Sequence, residues 1–548
     1  MTTPVHPIKT RIPHNDANAG AVIKNVFVLM LENRSFDHML GFSGIGGIDG
    51  LTGKESNSYG SGTPSLNYPV TRGADWSMPV GPGHEFVDVV SQLAGGGKSY
   101  TKGSPYPTID NSGFVWDYVC SPSKGEGKAP DNFGEIMKCY DTANQLPVLN
   151  ALARNFAVCD HWYSSLPGPT WPNRFFVHGA SSSGLDDSPS DLQMIEWEKL
   201  WGLRYDNGSI FDRLDRVFAT RKLQNPWRIY RGVESPWSGS IPGVAALHNI
   251  FIDNTIHFEH FDADINNKSG YPYFYTFIEP NYGDIINDSY VGGQSQHPRD
   301  DVRNGEALIK SVYESIRNSP LWPNSLLIVT YDEHGGFYDH VAPPKSVPPG
   351  DSMKWSQHGF DFTQYGVRVP AIIVSPFTPA GTVDHTLYDH SSVPATLEAL
   401  VQMANLTARD FAANNVTSLL SLPTARADAP TQLPDPAPGA KAPMAMAAPA
   451  LSVAASAPVT DANLPVFMFI LAKQKAKLDA ARLRAAAPRM TEATAPSFAS
   501  GPAAAADAAS AAAAFAQARN AKTAGAAQAL VDEVMARMNT EPDTGAKH

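Results

Sequence analysis

Two clusters of ionisable residues each follow an apolar run. Glu32-Asn33-Arg34-Ser35-Phe36-Asp37-His38 comes directly after Val26–Leu31, and Asp332-Glu333-His334-Gly335-Gly336-Phe337-Tyr338-Asp339-His340 comes directly after Leu326–Tyr331. If the runs are parallel strands of an open sheet, residues beyond their carboxyl ends lie where such sheets bind ligands. Glu32, Asn33, Asp332 and Glu333 then share one rim. Carboxylates and an amide form a hard oxygen set suited to Ca²⁺, Mg²⁺ or Mn²⁺, and carboxylates also serve Zn²⁺. Either cluster alone reads equally well as a strand cap; the coincidence of the two points to a site. In a third stretch, Ser164 to Phe176, Thr170 stands between Pro169 and Pro172. Pro172 suits the first turn of a helix, which places Thr170 at an N-terminus where free N–H groups favour an anion. A plain Thr cap, worth about 1 kcal/mol, is the simpler local reading.

The elements that must position these residues are legible as periods. Val26–Leu31, Tyr273–Ile278, Leu326–Tyr331 and Ala371–Ser375 read as strands buried on both faces. Between the middle two, Val302 to Arg317 places Leu308, Ile309, Val312 and Ile316 on one helical face. Strand, helix and strand at this spacing predict an α/β fold with a mainly parallel central sheet flanked by helices. Composition shifts near residue 421. Residues 1–420 read as a catalytic domain, 421–463 as a Pro/Ala-rich, poorly packed linker, and 464–548 as a helical, Ala-rich C-terminal region. In the last of these, Leu464 to about Ala487 reads as a helix stopped by Pro488. It is expected to dock on the main domain with its Lys and Arg side solvated, the alternative being a membrane-surface or partner helix. Ala-rich low-complexity sequence follows, with one short helix at Leu530–Met538.

Charge and cysteine content exclude whole classes. With 42 Lys+Arg against 54 Asp+Glu in 548 residues, the net charge is −12, the wrong sign for a nucleic-acid binder that must displace phosphate counterions. Cys120, Cys139 and Cys159 are too few for a disulfide framework. Met1 to Pro7 lacks a basic n-region and an apolar h-region, so the expected location is cytoplasmic or reached by a signal-independent route.

Taken together and in order, the ENRSFDH-LG opening (Glu32 to Gly41), the PGPT-PNR segment (Pro167 to Arg174), the HP…GE segment (His297, Pro298, Gly305, Glu306), DEHGGFYDHV (Asp332 to Val341) and YDHSS (Tyr388 to Ser392) resemble the bacterial phosphoesterase family of phospholipases C and acid phosphatases, in the alkaline-phosphatase-like superfamily. The resemblance spans roughly residues 20–405 and leaves the C-terminal region uncovered. It implies an alkaline-phosphatase-like fold and a metal site of Glu32, Asn33, Thr170, Asp332 and Glu333. It also implies Thr170 as nucleophile, His297 and His84 as catalytic histidines, and Asn33, Asn111 and His257 as substrate contacts. Where classical phosphatases of the superfamily hold two metals, this sequence suggests one divalent ion plus histidines.

The chemistry is consistent with that assignment. A neutral hydroxyl is a poor nucleophile, and a cation beside Thr170 favours its alkoxide. Attack on phosphorus would give a phosphothreonine that water then hydrolyses, with His297 or another pocket histidine protonating the leaving alcohol. The expected activity is phosphoric ester hydrolysis, foremost by a phospholipase C on phosphatidylcholine-type diesters; the alternative is an acid phosphatase on monoesters. A non-catalytic phospholipid-binding protein is disfavoured because Glu32, Thr170, Asp332 and Glu333 are all present. The expected partners are a phospholipid or a small phosphate ester, with peripheral membrane contact through the basic helix as a further option. The sequence leaves the oligomeric state open.

Overall fold

Apolar runs with no polar face build the centre of the molecule. The computed structural model describes residues 22–60, 66–121, 130–222, 226–232, 238–440, 455–459, 463–486 and 502–540. The expectations for Met1–Pro7, for 441–454 and 460–462 of the linker, and for the helix stop at Pro488 lie outside them. The main sheet has eight strands: β1 (Asn25–Leu31), β2 (Ala157–Cys159), β3 (Trp227–Arg231), β4 (Ile256–His257), β5 (Tyr275–Ile278), β6 (Ser325–Tyr331), β7 (Ala371–Val374) and β8 (Thr382–Asp384). Their spatial order is β8-β2-β7-β6-β1-β5-β3-β4. Only β7 runs against the rest, pairing antiparallel with β6 and β2. Every residue of β1, β5, β6 and β7 is buried, as a sheet covered on both faces requires. The protein is a mixed α/β fold with a mostly parallel central sheet flanked by helices.

The helices that bear on the site are α1 (Phe36–Leu40), α2 (Phe86–Ala94), α3 (Thr170–Gly179), α4 (Val302–Asn318) and α5 (Ser392–Val401). The expected face of α4 is buried, Leu308, Ile309, Val312 and Ile316 included. Strands β5 and β6, on either side of α4 in sequence, are parallel, and β1 inserts between them.

Three expectations for residues 421–548 change. Residues 421–440 of the linker have no regular secondary structure but are packed along α4. Arg317 donates to the Ala429 carbonyl at 2.9 Å and Lys310 to the Leu433 carbonyl at 2.6 Å, with Ala429 and Leu433 buried. The described part of the low-complexity stretch folds as α7 (Pro502–Asn520) and runs into α8 (Ala524–Thr540), which absorbs the expected short helix. Finally, α6 (Leu464–Ala486) docks on the main domain as expected, but its lysines are not solvated. Lys473 is buried and donates to the carbonyls of Ala245, Leu247 and Ile250; Lys477 pairs with Asp253 and Lys475 with Glu533, both at 2.7 Å. The three donors of the Lys473 ammonium match three carbonyl acceptors, so these lysines are engaged by the chain itself. No described helix is long and apolar enough to cross a membrane.

Candidate functional site

The register of the two central strands makes the site. Leu31 pairs with Tyr331 across β1 and β6, so both strands end flush and the next residues, Glu32 and Asp332, leave the sheet side by side. Asn33 then turns back with φ of 58°, a left-handed conformation that Asn tolerates better than most residues. The turn aims its N–H at Asp332 Oδ1, 2.9 Å away. After β6 the chain makes its own turn through Gly335 and Gly336, at φ of 64° and 75°; a Cβ on Gly335 would strike the Asn33 carbonyl, and one on Gly336 the Gly83 carbonyl.

Thr170 begins α3, with Pro169 at the cap. The loop before it is held by Asn173, whose Nδ2 donates to the carbonyls of Gly168 (2.9 Å) and Pro169 (3.0 Å). The Thr170 hydroxyl accepts from Asn33 Nδ2 at 3.4 Å, and the same amide nitrogen contacts Glu333 Oε1 and lies 3.0 Å from His84 Nδ1. Five of the expected residues, Asn33, His84, Thr170, Asp332 and Glu333, are thus joined by direct contacts. Glu32 is joined to them through Arg174, one turn along α3 from Thr170. The Arg174 guanidinium is 2.9 Å from Asp332 Oδ2, 3.8 Å from Glu32 Oε1 and 3.9 Å from Glu279 Oε1.

Electrostatics sharpen the histidines. His84 Nδ1 is 2.6 Å from Glu333 Oε1; burial works against its charge, but Glu333 raises it to about 10. Burial also opposes charge on Glu333, yet His84 and His334 hold that carboxyl below the usual range. Asp332 is pushed up by burial, with Arg174 pulling the other way. His297 lies beyond His84, the ring centroids 6.4 Å apart, stacked on Tyr290 at 3.5 Å. Burial, with His84, Arg34 and Arg299 nearby, pushes it well below the ordinary imidazole value. The N–H of Arg299 donates to its Nδ1 at 3.3 Å, so the neutral ring carries its proton on Nε2. His390 links Trp162 Nε1 (3.3 Å) to the carbonyl of Asp332 and so steadies the end of β6.

Two expected substrate contacts are not brought into this cluster. Asn111 donates to the Asp339 carbonyl at 3.0 Å and its own carbonyl accepts from Asn57 at 2.7 Å. Its one unused side-chain atom, Oδ1, is an acceptor and unsuited to a phosphate oxygen. His257 ends β4, against Arg231 at 3.0 Å. Three strand spacings separate β4 from β1, roughly 14 Å.

Sequence reading gave no role to Arg174 or Glu279. Arg174 is the i+4 neighbour of Thr170 on the same helical face, and Glu279 follows β5 as Glu32 follows β1. Burial pushes Glu279 up to about 7, with Arg174 pulling it back.

The donor set fits a divalent cation. Glu32, Asp332 and Glu333 offer carboxylate oxygens, Thr170 a hydroxyl, and Asn33 a buried Oδ1 with no hydrogen-bond partner.

The sequence model of the phosphoesterase family matches residues 23–404. Non-specific phospholipase C6 of Arabidopsis thaliana is 35% identical over 450 residues, 78% of each chain. Non-specific phospholipase C3 of the same plant is 32% identical over 76% of this chain and 77% of its own. Phospholipase C B of Mycobacterium tuberculosis is 26% identical over 72% of this chain and 77% of its own. Among solved structures, a protein in the alkaline phosphatase superfamily from Vibrio parahaemolyticus is 14% identical, covers 52% of this chain and 66% of that one, and superposes with a TM-score of 0.27.

Proposed function

We propose, from the premise that this chain belongs to the phosphoesterase family and is a hydrolase acting on phosphoester bonds, that its substrates are phospholipid diesters, cleaved on the glycerol side of phosphorus as by a phospholipase C. The observation that carries the reading is the convergence on Asn33. The nitrogen of one buried amide touches the Thr170 hydroxyl, His84 and Glu333, while its oxygen has no hydrogen-bond partner. The curated relatives at comparable coverage are named phospholipases C, which favours the diester over the monoester.

A divalent cation held by Glu32, Asn33, Asp332, Glu333 and the Thr170 oxygen would supply Lewis-acid polarisation and lower the pKa of that hydroxyl. The rest falls to the chain itself. Thr170, fixed at the first turn of α3, releases its hydroxyl proton to solvent and attacks phosphorus with its Oγ1; the bond to the diacylglycerol oxygen breaks, leaving the phosphorylated head group on Thr170. His84, kept protonated by Glu333, gives its proton to the departing alkoxide. His297 presents a neutral Nε2–H, better suited to hydrogen-bonding a phosphoryl oxygen than to giving up a proton, so the acid role expected of it passes to His84. Water then attacks phosphorus, the Thr170 oxygen leaves and is reprotonated, and the phosphorylated head group is released. The free N–H groups at the start of α3 face the developing charge.

Paired assays test the reading. Thr170→Ala is expected to lower turnover of p-nitrophenylphosphorylcholine at least about 10³-fold with the fold intact by circular dichroism. Turnover of p-nitrophenyl phosphate alone would move the assignment to a phosphatase, and full activity in the variant would overturn the nucleophile.

A further inference from the structure

A second group of ionisable side chains sits at the sheet margin, outside the catalytic cluster. Asp160 and His161 follow β2, and His385 follows β8. The two strands are parallel with Asp384 opposite Cys159, so Asp160 and His385 emerge at one level. His385 Nδ1 lies 2.9 Å from Asp160 Oδ1, and His161 Nε2 lies 3.3 Å from Asp49 Oδ2. The two imidazole centroids are 5.8 Å apart, and one ligand atom from each of Asp160, His161 and His385 falls within 4.8 Å of the others. In a tetrahedron with bonds of about 2.1 Å, adjacent ligand atoms are about 3.4 Å apart, which is the scale of these contacts.

The chemistry of the group selects the ion. Two imidazoles and two carboxylates are the mixed nitrogen and oxygen set that Zn²⁺ accepts, whereas Ca²⁺ and Mg²⁺ prefer oxygen alone. Outer contacts already orient the ligands: the Asp49 N–H donates to Asp160 Oδ2 at 2.8 Å, and Arg368 Nη1 donates to the carbonyls of Asp49 (2.9 Å) and Asp160 (3.0 Å). Asp160 is fully buried while the His161 and His385 side chains are 31% and 55% exposed, so the group has a fixed floor and an open mouth. In the neighbouring trio of Asp37, Asp339 and His340, Arg368 bonds both carboxylates directly, Asp37 Oδ1 at 3.0 Å and Asp339 Oδ1 at 2.9 Å, whereas in the Asp160 group it comes only to 3.7 Å of Asp49 Oδ2, whose other oxygen is 3.2 Å from His340 Nε2.

We propose that Asp160, His161 and His385, with Asp49 as the fourth ligand, form a zinc site separate from the catalytic centre. Two strand intervals, roughly 10 Å, lie between β2 and β6. The ion would clip three segments distant in sequence: the loop carrying Asp49, the β2 exit and the β8 exit.

The test is zinc stoichiometry on the full-length protein. Chelator-treated wild type, re-equilibrated with Zn²⁺ alone, is expected to retain one equivalent per chain more than His385→Gln and than a His161→Gln/His385→Gln pair. Added Zn²⁺ should raise the melting temperature of wild type by several degrees more than that of either variant, and Co²⁺ should give four-coordinate ligand-field bands in wild type that both variants lose. Neither histidine touches the catalytic cluster, so activity within about twofold of wild type reports that the variants are folded. Equal zinc content in wild type and variants, or a cobalt spectrum unchanged by the substitutions, would reduce the group to a hydrogen-bonded surface network and overturn the proposal.

Discussion

Arg174 gathers three acids that leave three different strands, and its fork explains why they can coexist in a buried site. Removing it would leave Asp332, Glu32 and Glu279 uncompensated where burial already disfavours their charge. Arg174→Lys keeps the charge but loses the planar fork; kcat/KM on p-nitrophenylphosphorylcholine is expected to fall about 10- to 100-fold. His84 and His297 are separable by leaving group. If His84 protonates the departing oxygen, His84→Gln should slow phosphatidylcholine hydrolysis far more than release of p-nitrophenolate, an oxygen that needs no proton to leave. His297→Gln should slow both substrates alike. Residue identity at the rim was legible because strand ends and a helix start follow simple patterns. The same rule applied to β5 would have exposed Glu279. Asn111 and His257 lie apart from the cluster, and no local pattern tells which of several strand-end or loop polar groups the tertiary fold turns toward Thr170.

At the scale of elements, the site depends on turns and helix contacts. Gly335 sits at φ of 64° with its missing Cβ directed at the Asn33 carbonyl. Gly335→Ala is expected to cost about 1–3 kcal/mol in chemical denaturation and to reduce activity, because relief of the clash displaces Asn33. Helix α4 carries a pH-sensitive contact. Glu306 accepts from the N–H groups of Val148 (2.8 Å) and Leu149 (2.9 Å), and burial pushes its carboxyl up to about 8. The native state therefore holds a proton that the unfolded chain releases above its ordinary carboxyl pKa, so stability declines as pH rises from about 4.5 to about 8. Glu306→Gln should flatten that part of a melting-temperature profile. The core strands were legible to within two residues because both faces are apolar. The helices α7 and α8 were not, since alanine gives no apolar contrast from which to read a period, although it is the best helix former. Which strands become neighbours was also hidden: β1 lies between two strands that come some 250 to 300 residues later in the chain.

Across the whole molecule, the C-terminal helices complete the catalytic body. Phe467 of α6 packs on Trp171 at 5.3 Å and on Tyr282 at 5.4 Å, and Asn463 donates to Tyr290, the ring beneath His297, at 3.1 Å. Phe469 in turn stacks on Phe515 of α7 at 5.6 Å. A chain ending at residue 462 is expected to melt well below the full-length protein or to precipitate, measured by thermal denaturation and light scattering. The net charge of −12 acts at this scale too. Hydrolysis of anionic vesicles relative to zwitterionic ones should rise as ionic strength goes from about 0.01 to 0.15 M and repulsion is screened. The flush ends of β1 and β6 carry a consequence for biosynthesis. Asn33 meets Asp332 and Glu333 across 299 and 300 residues of sequence, so no fragment on the ribosome holds the whole rim until more than three-fifths of the chain has emerged. A nascent chain shorter than that is thereby silent toward the phosphoesters of the cell that makes it.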